Sequence, residues 1–88
     1  MTEIQIEITN KAGLHARAAS KLAELCASFG SDIQVGREKM VDGKSILSLM
    51  MLAAVKGTML TITANGPDEE RAIEAISNLI ENRFDEGE

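Results

Sequence analysis

Apolar and polar residues alternate near the beginning of the chain. Ile4, Ile6 and Ile8 are separated by polar residues, and this period of two is typical of a strand with one buried and one solvated face. Residues 10–13 then have the composition of a turn, with a glycine at its end. The sequence therefore predicts a first strand followed by a short connection.

The next apolar residues recur at helical spacing. They are Ala19, Leu22, Cys26 and Phe29. Together they predict a helix that begins at about Ala16 and is ended by Gly30. We expect Cys26, on the apolar side of this helix, to be a small core residue.

The middle of the chain predicts a hairpin and a short helix. Ile33 and Val35 alternate with polar residues, residues 36–39 suit a hairpin connection, and residues 40–41 suit a short returning strand. Ser45 is a plausible N-cap for a short, mostly apolar helix over residues 46–54, with Gly57 as its stop signal.

The last third of the chain predicts a strand and a long amphipathic helix. Alternation resumes over residues 60–64, and Pro67 lies near the start of a helix with acidic residues at 68–70, where the helix dipole favours them. The predicted buried stripe of this helix is Ile73, Ile76, Ile80 and Phe84. We expect residues 85–88 to be frayed.

The predicted elements follow the order βαββαβα with short connections. Alternating strands that each have one polar face favour an antiparallel sheet covered on one side only. We therefore expect an α+β open-faced β-sandwich, with a four-stranded antiparallel sheet and three helices on one face, formed by a single domain over residues 1–88.

Composition excludes several classes of protein. The net charge of −5 and the two aromatic residues argue against a nucleic-acid binder, which needs cations and stacking side chains. With Cys26 as the only cysteine and His15 as the only histidine, neither an internal disulfide nor a zinc site of thiolates and imidazoles is expected. No signal segment or membrane span is evident, so we expect a cytoplasmic protein.

His15 is the main candidate for chemistry. It lies between Gly13 and the first turn of the first predicted helix, where backbone N–H groups lack helical partners and attract anions. A neutral imidazole nitrogen can attack phosphorus, and the guanidinium of Arg17 could stabilise the product. By position alone, an exposed histidine that merely caps a helix is the more common explanation.

Three segments resemble the histidine-containing phosphocarrier (HPr) family. Residues 10–17, Asn-Lys-Ala-Gly-Leu-His-Ala-Arg, resemble its active-site segment, and residues 42–50, Asp-Gly-Lys-Ser-Ile-Leu-Ser-Leu-Met, resemble its regulatory-serine segment. Lys56-Gly57, a strand and then Asn-Gly-Pro-Asp-Glu at residues 65–69 are similar to its final hairpin and helix start. The resemblance covers essentially the whole chain and implies the same open-faced sandwich.

The resemblance implies a role for each matching residue. His15 would be phosphorylated on Nδ1, with Arg17 and the backbone N–H groups of Ala16 and Arg17 stabilising the phosphoryl group. The donor would be phosphorylated Enzyme I, charged from phosphoenolpyruvate, and the acceptors would be EIIA domains of sugar permeases or their nitrogen-branch counterparts. No metal or cofactor is implied for the carrier, which is expected to be a monomer. Ala18 departs from the family, since many members have proline there.

The resemblance also implies a regulatory serine and a docking surface. Ser45 is either simply a helix cap or, as in many members, a site for HPr kinase/phosphorylase. Ile46, Leu47 and Met50 belong to a helix that is apolar almost all round, so some of its residues should stay exposed. With Ser20 they are implied to dock partner proteins. We expect Leu49, Leu52 and Met51 to be core residues.

Other classes fit less well. Gly43-Lys44-Ser45 resembles the end of a P-loop, but that pattern needs glycine where this chain has Glu38. An acyl carrier protein is all-helical, which the alternating strands contradict. The alternative left open is a small α+β regulatory module in which His15 and Arg17 only bind an anion. The sequence does not decide between the sugar and nitrogen branches.

Overall fold

A computed structural model describes residues 1–87 and confirms the predicted order of elements. The strands are β1 (Thr2–Glu7), β2 (Asp32–Gly36), β3 (Met40–Asp42) and β4 (Met59–Asn65). The helices are α1 (Ala16–Ala27), α2 (Ile46–Met51) and α3 (Glu69–Glu81), followed by a single turn over Arg83–Asp85. The α+β class is therefore as expected.

The four strands form one antiparallel sheet in the order β1-β4-β2-β3. Ile62 lies at its centre, opposite Ile4 on one side and Val35 on the other, and Val35 is opposite Val41. One apolar row therefore crosses all four strands on the same face. The neighbouring rows carry polar side chains on the opposite face, as the alternation in the sequence predicts.

The three helices cover the apolar face of the sheet. Helix α3 packs on β1 and β4, and α1 packs against both α2 and α3. The helical residues that complete the core include Leu22, Cys26, Leu49, Ile73, Ile76 and Ile80. Burial raises the pKa of the Cys26 thiol to about 12, which agrees with its expected role as an unreactive core residue.

Helix α2 is shorter than the sequence predicts. It ends at Met51 rather than near residue 54, and Ala53 has a left-handed φ of 51° that turns the chain away from the helix axis. Leu49 is fully buried and Leu52 packs at the edge of the core, as expected. The expectation for Met51 was wrong, because its side chain is 76% exposed. A six-residue helix buries only one stripe, and Leu49 occupies it.

The helix boundaries around α1 and α3 also differ in detail. Helix α1 ends at Ala27 with Ser28 as its cap, so Gly30 does not terminate it. Asp68 precedes α3 but makes no capping bond with its side chain. Its carboxylate instead accepts hydrogen bonds from the backbone of Gly30 (2.9 Å) and Ser31 (3.0 Å) and from the Ser31 hydroxyl. This cluster links the start of β2 to the start of α3.

The segment after α3 is ordered where fraying was expected. Phe84 is fully buried, as predicted, but it lies beyond the end of α3 and not on that helix. Arg83, Phe84 and Asp85 all have left-handed φ values, 55°, 52° and 63°, and the turn they form places Glu86 against residues near the start of α1. The expected fraying is thus wrong for residues 85 and 86, whereas Glu88 lies outside the described residues.

Candidate functional site

The loop between β1 and α1 is held against the segment that follows α2. The amide of Leu14 donates to the carbonyl of Ala54 (2.8 Å), and the Leu14 side chain is buried. Gly13 has a φ of 69°, and a Cβ there would lie 2.6 Å from the Ala54 carbonyl oxygen. Only glycine fits this close approach, which fixes the position of the residue that follows Leu14.

That residue, His15, is the N-cap of α1. Its backbone is extended, its carbonyl accepts the first helical hydrogen bond from Ala19 (2.8 Å), and its Nδ1 atom accepts the amide of Arg17 (3.3 Å). Nδ1 therefore carries a lone pair and no proton, and this lone pair faces the N-terminus of α1. At 3.3 Å this bond is longer than most N–H hydrogen bonds in proteins.

The helix start offers the donors that the sequence predicts. Ala16 and Arg17 are the first two residues of α1 and both are exposed, so their amides lie at the positive end of the helix. A phosphoryl group on Nδ1 would take the place of the lone pair now bound by the Arg17 amide. Its oxygen atoms could then accept hydrogen bonds from these amides.

The other ring nitrogen has a partner that the sequence analysis missed. His15 Nε2 lies within hydrogen-bond distance of a carboxylate oxygen of Glu86, and the second carboxylate oxygen accepts from Asn10 Nδ2 (3.0 Å). Since Nδ1 is an acceptor, the neutral ring carries its proton on Nε2 and donates it to Glu86. Asn10 is fully buried and also donates to the carbonyl of Gly13 (2.7 Å).

The environment of Glu86 favours its charged form. Burial disfavours the carboxylate, but hydrogen bonds from Asn10 and His15, helped by the positive charge of Lys21, outweigh it and lower the pKa of this carboxyl below its ordinary value. Separated from His15 by 71 positions, Glu86 gives no local signal in the sequence. Asn10 belongs to the motif of residues 10–17. Its hydrogen bond to Glu86, however, forms only because the turn after α3 brings Glu86 to this loop.

The predicted serine and docking residues lie on α2 and α1. Ser45 is the N-cap of α2, and its Oγ accepts the amide of Ser48 (3.2 Å), so its structural role is confirmed. Ser20 lies on α1 and is half-buried. The exposed fractions on α2 are 43% for Ile46, 69% for Leu47 and 40% for Met50, and Met51 adds to the same exposed apolar helix.

The chain is similar in sequence to proteins of a known family. Residues 2–82 match the family described as "PTS HPr component phosphorylation site". The chain belongs to the HPr family. It is 50% identical to the phosphocarrier protein HPr of Pseudomonas aeruginosa and 47% identical to that of Cupriavidus necator, and in both cases the full length of each chain is covered.

The HPr fold is equally clear from solved structures. The crystal structure of HPr from Thermoanaerobacter tengcongensis matches with a TM-score of 0.94 at 44% identity and covers 98% of each chain. A second structure, HPr from Bacillus anthracis, matches with a TM-score of 0.86 at 35% identity, covering 90% of this chain and 95% of that one. This chain is an HPr phosphocarrier of the phosphotransferase system, a non-catalytic intermediate in a phosphoryl relay.

Membership of the HPr family implies Enzyme I and EIIA domains as partners. Within residues 1–87, no helix is long and apolar enough to cross a membrane. No three His, Cys, Asp or Glu side chains converge as metal ligands in that same part of the chain.

Proposed function

We propose that Nδ1 of His15 accepts the phosphoryl group from phosphorylated Enzyme I and passes it to an EIIA domain. The observation that carries this proposal is the lone pair of Nδ1 at the N-terminus of α1, with the Arg17 amide 3.3 Å away. Nδ1 is the ring nitrogen free to attack phosphorus. The Ala16 and Arg17 amides and the Arg17 guanidinium then stabilise the phosphoryl oxygen atoms.

The site is open to solvent, which suits a protein that receives a phosphoryl group and then passes it on. His15 is 33% exposed, and Ala16 and Arg17 are exposed beside it, so a donor or acceptor domain can reach Nδ1 from solvent. A site that bound the phosphoryl group from all sides would raise the barrier to handing it on. A few donors on one side leave the phosphorus open to in-line attack.

The partners dock on α2 and α1 in this proposal. Ile46, Leu47 and Met50 supply an exposed apolar surface, with Ser20 on the neighbouring helix, and flexible methionine and leucine side chains fit several partners in turn. Enzyme I and EIIA would bind this surface one after the other. The chain would act as a monomer, formed by a single HPr-like domain over residues 1–88. It would work in the cytoplasm. Nucleic acid is not a partner.

Ser45 is the proposed regulatory site on that surface. It caps α2 and is followed directly by Ile46 and Leu47. A phosphoryl group here would add about two negative charges beside the apolar docking residues, and desolvating them would oppose binding of Enzyme I. HPr kinase/phosphorylase would be the modifying partner in a host that makes it.

The experiment is phosphorylation with phosphoenolpyruvate and purified Enzyme I. The chain should gain one acid-labile phosphoryl group, His15→Ala should gain none, and addition of an EIIA domain should discharge the phosphorylated chain. Testing a sugar-branch and a nitrogen-branch pair of Enzyme I and EIIA proteins identifies the branch. An anion-binding module without phosphoryl transfer would bind phosphate but remain unmodified with both pairs.

A further inference from the structure

The turn after α3 holds Glu86 firmly beside the histidine ring. Phe84 is fully buried and its carbonyl accepts a hydrogen bond from Lys21 Nζ (2.9 Å), which ties the turn to α1. Three successive residues, Arg83–Asp85, have left-handed φ values although none is glycine. Such a conformation is unfavourable for each of them and persists only where surrounding contacts enforce it.

The Glu86 carboxylate has a separate partner for each oxygen. Asn10 Nδ2 donates to Oε1 (3.0 Å), and His15 Nε2 faces Oε2. The Asn10 amide is itself fixed by its bond to the Gly13 carbonyl, in the loop that positions His15. Only 16% of the Glu86 side chain is exposed, so the carboxylate is oriented by the fold and not by solvent.

We propose that Glu86 is a positioning residue for phosphoryl transfer, whose carboxylate accepts the Nε2–H of His15 and thereby keeps the lone pair on Nδ1. The inference rests on the proposed function of Nδ1 as the phosphoryl acceptor. Together the Arg17 amide and Glu86 fix both ring nitrogens: the amide requires an acceptor at Nδ1, and the carboxylate requires a donor at Nε2. The ring can neither flip nor exchange its tautomer without losing both bonds.

The same contact contributes to the transfer step. The Nδ1 lone pair forms the new bond to phosphorus while the bond from phosphorus to the donor atom breaks, and the donor atom keeps that electron pair. The proton stays on Nε2 throughout, so the phosphorylated ring gains a formal positive charge. The negative carboxylate of Glu86 stabilises that charge, and the same arrangement serves when the phosphoryl group leaves for the acceptor.

The test combines a spectroscopic and a kinetic measurement on three variants. Glu86→Ala removes the hydrogen-bond acceptor, and Glu86→Gln keeps an oxygen acceptor without the charge. Glu81→Gln is the matched control. Glu81 is exposed at the end of α3, and its carboxylate accepts a hydrogen bond from Ser77 of the same helix. The ¹⁵N chemical shifts of both ring nitrogens are recorded at a pH where the ring is neutral. His15, the only histidine, is assigned without ambiguity.

In the unmodified chain we expect Nδ1 to be unprotonated and Nε2 protonated, and in Glu86→Ala we expect both shifts to move toward the averaged values of a free imidazole. The maximal rate of transfer from Enzyme I should fall about tenfold with little change in KM, as for the loss of a hydrogen bond to a charged group. Glu86→Gln should restore the ring shifts but not the full rate, and Glu81→Gln should match the unmodified chain.

Identical ring shifts in the unmodified chain and Glu86→Ala would overturn the proposal, as would an unchanged transfer rate. An equal loss of rate in Glu86→Gln and Glu81→Gln would also overturn it, because the effect would then come from net charge alone. If Enzyme I fails to phosphorylate the unmodified chain, the proposed function fails, and the ring shifts still decide whether Glu86 sets the tautomer.

Discussion

At the scale of single residues, the two nitrogens of His15 have different neighbours. Nδ1 faces the Arg17 amide at the N-terminus of α1, and Nε2 faces a carboxylate. This arrangement keeps a lone pair on one atom and the proton on the other, as the proposed phosphoryl transfer requires. The other polar contacts of the fold form two groups. Some surround His15, and others connect structural elements away from it.

Asp68 belongs to the second group, and its effect depends on pH. Hydrogen bonds from the Ser31 hydroxyl and from the Gly30 and Ser31 amides outweigh burial and lower the pKa of its carboxyl. A group whose pKa is lowered on folding stabilises the protein above its unfolded pKa, and this contribution disappears as the pH falls through the folded pKa. Asp68→Asn should therefore lower the urea midpoint at neutral pH and flatten its decline in acid.

Urea titrations from neutral to strongly acidic pH measure this effect. Asp32→Asn is the control, because Asp32 is an exposed neighbour in β2. A midpoint for Asp68→Asn that follows the unmodified chain at every pH would contradict the stabilising role of the cluster.

Ser45 tests how charge acts next to the proposed docking residues. Ser45→Asp keeps an N-cap oxygen for the Ser48 amide, so the domain should remain as stable, whereas the added charge should slow phosphorylation by Enzyme I about tenfold or more. Ser45→Asn has nearly the same shape without the charge and should behave as the unmodified chain. Equal rates for the two variants would count against regulation at this position.

At the scale of elements, α1 supplies the donors of the site and α2 supplies the surface beside it. The first turn of α1 has its amides unused within the helix, since the first helical bond is from Ala19 to the His15 carbonyl. Helix α2 is so short that most of its apolar side chains remain exposed. Unused amides are common to the start of every helix, whereas the exposed apolar side chains of α2 are unusual for a helix with a purely structural role.

The start of α1 is the place to test the departure from the family at Ala18. This residue precedes the first helical hydrogen bond, so Ala18→Pro loses no helical bond and should stabilise the domain by about 0.4–1 kcal/mol through the unfolded chain. Ala27→Pro, in the last turn of the same helix, should cost ~3 kcal/mol. Chemical unfolding measures both. A destabilised Ala18→Pro would show that the buried alanine leaves no room for the ring.

The exposed side chains of α2 should matter for partners and not for folding. Leu47 is 69% exposed, so Leu47→Ser should change the free energy of unfolding by no more than ~0.5 kcal/mol while it raises the KM for Enzyme I several-fold. Met59→Ser, at a 54% exposed position on β4, is the control for losing an exposed apolar group. A KM that changes equally in both variants would contradict docking through α2.

At the scale of the whole molecule, two distant parts of the chain meet at His15. The loop after β1 brings Asn10, Gly13 and His15, and the turn after α3 brings Glu86. Lys21 ties that turn to α1 through the Phe84 carbonyl. The site is therefore complete only when the last helix has packed on the sheet, which links folding of the chain to the chemistry of its histidine.

The sequence predicts what depends on local pattern and misses what depends on long-range contact. The isoleucines of β1, the buried stripe of α3 and the helix start after His15 follow from spacing alone. The turn at Arg83–Asp85 has no glycine to announce its left-handed backbone, so nothing nearby predicts that Glu86 returns to the site. The prediction that Met51 is a core residue was wrong because the short length of α2, and not the hydrophobicity of the side chain, decides its exposure.

The most direct measurement identifies the atom of His15 that carries the phosphoryl group. The ¹⁵N-labelled chain is phosphorylated with phosphoenolpyruvate and Enzyme I, and long-range ¹H–¹⁵N correlation spectra of the single histidine are recorded before and after addition of EIIA. We expect phosphorus on Nδ1, a proton retained on Nε2, and return of the original spectrum as EIIA accepts the group. Phosphorylation on Nε2, or no modification of His15 at all, would contradict the account.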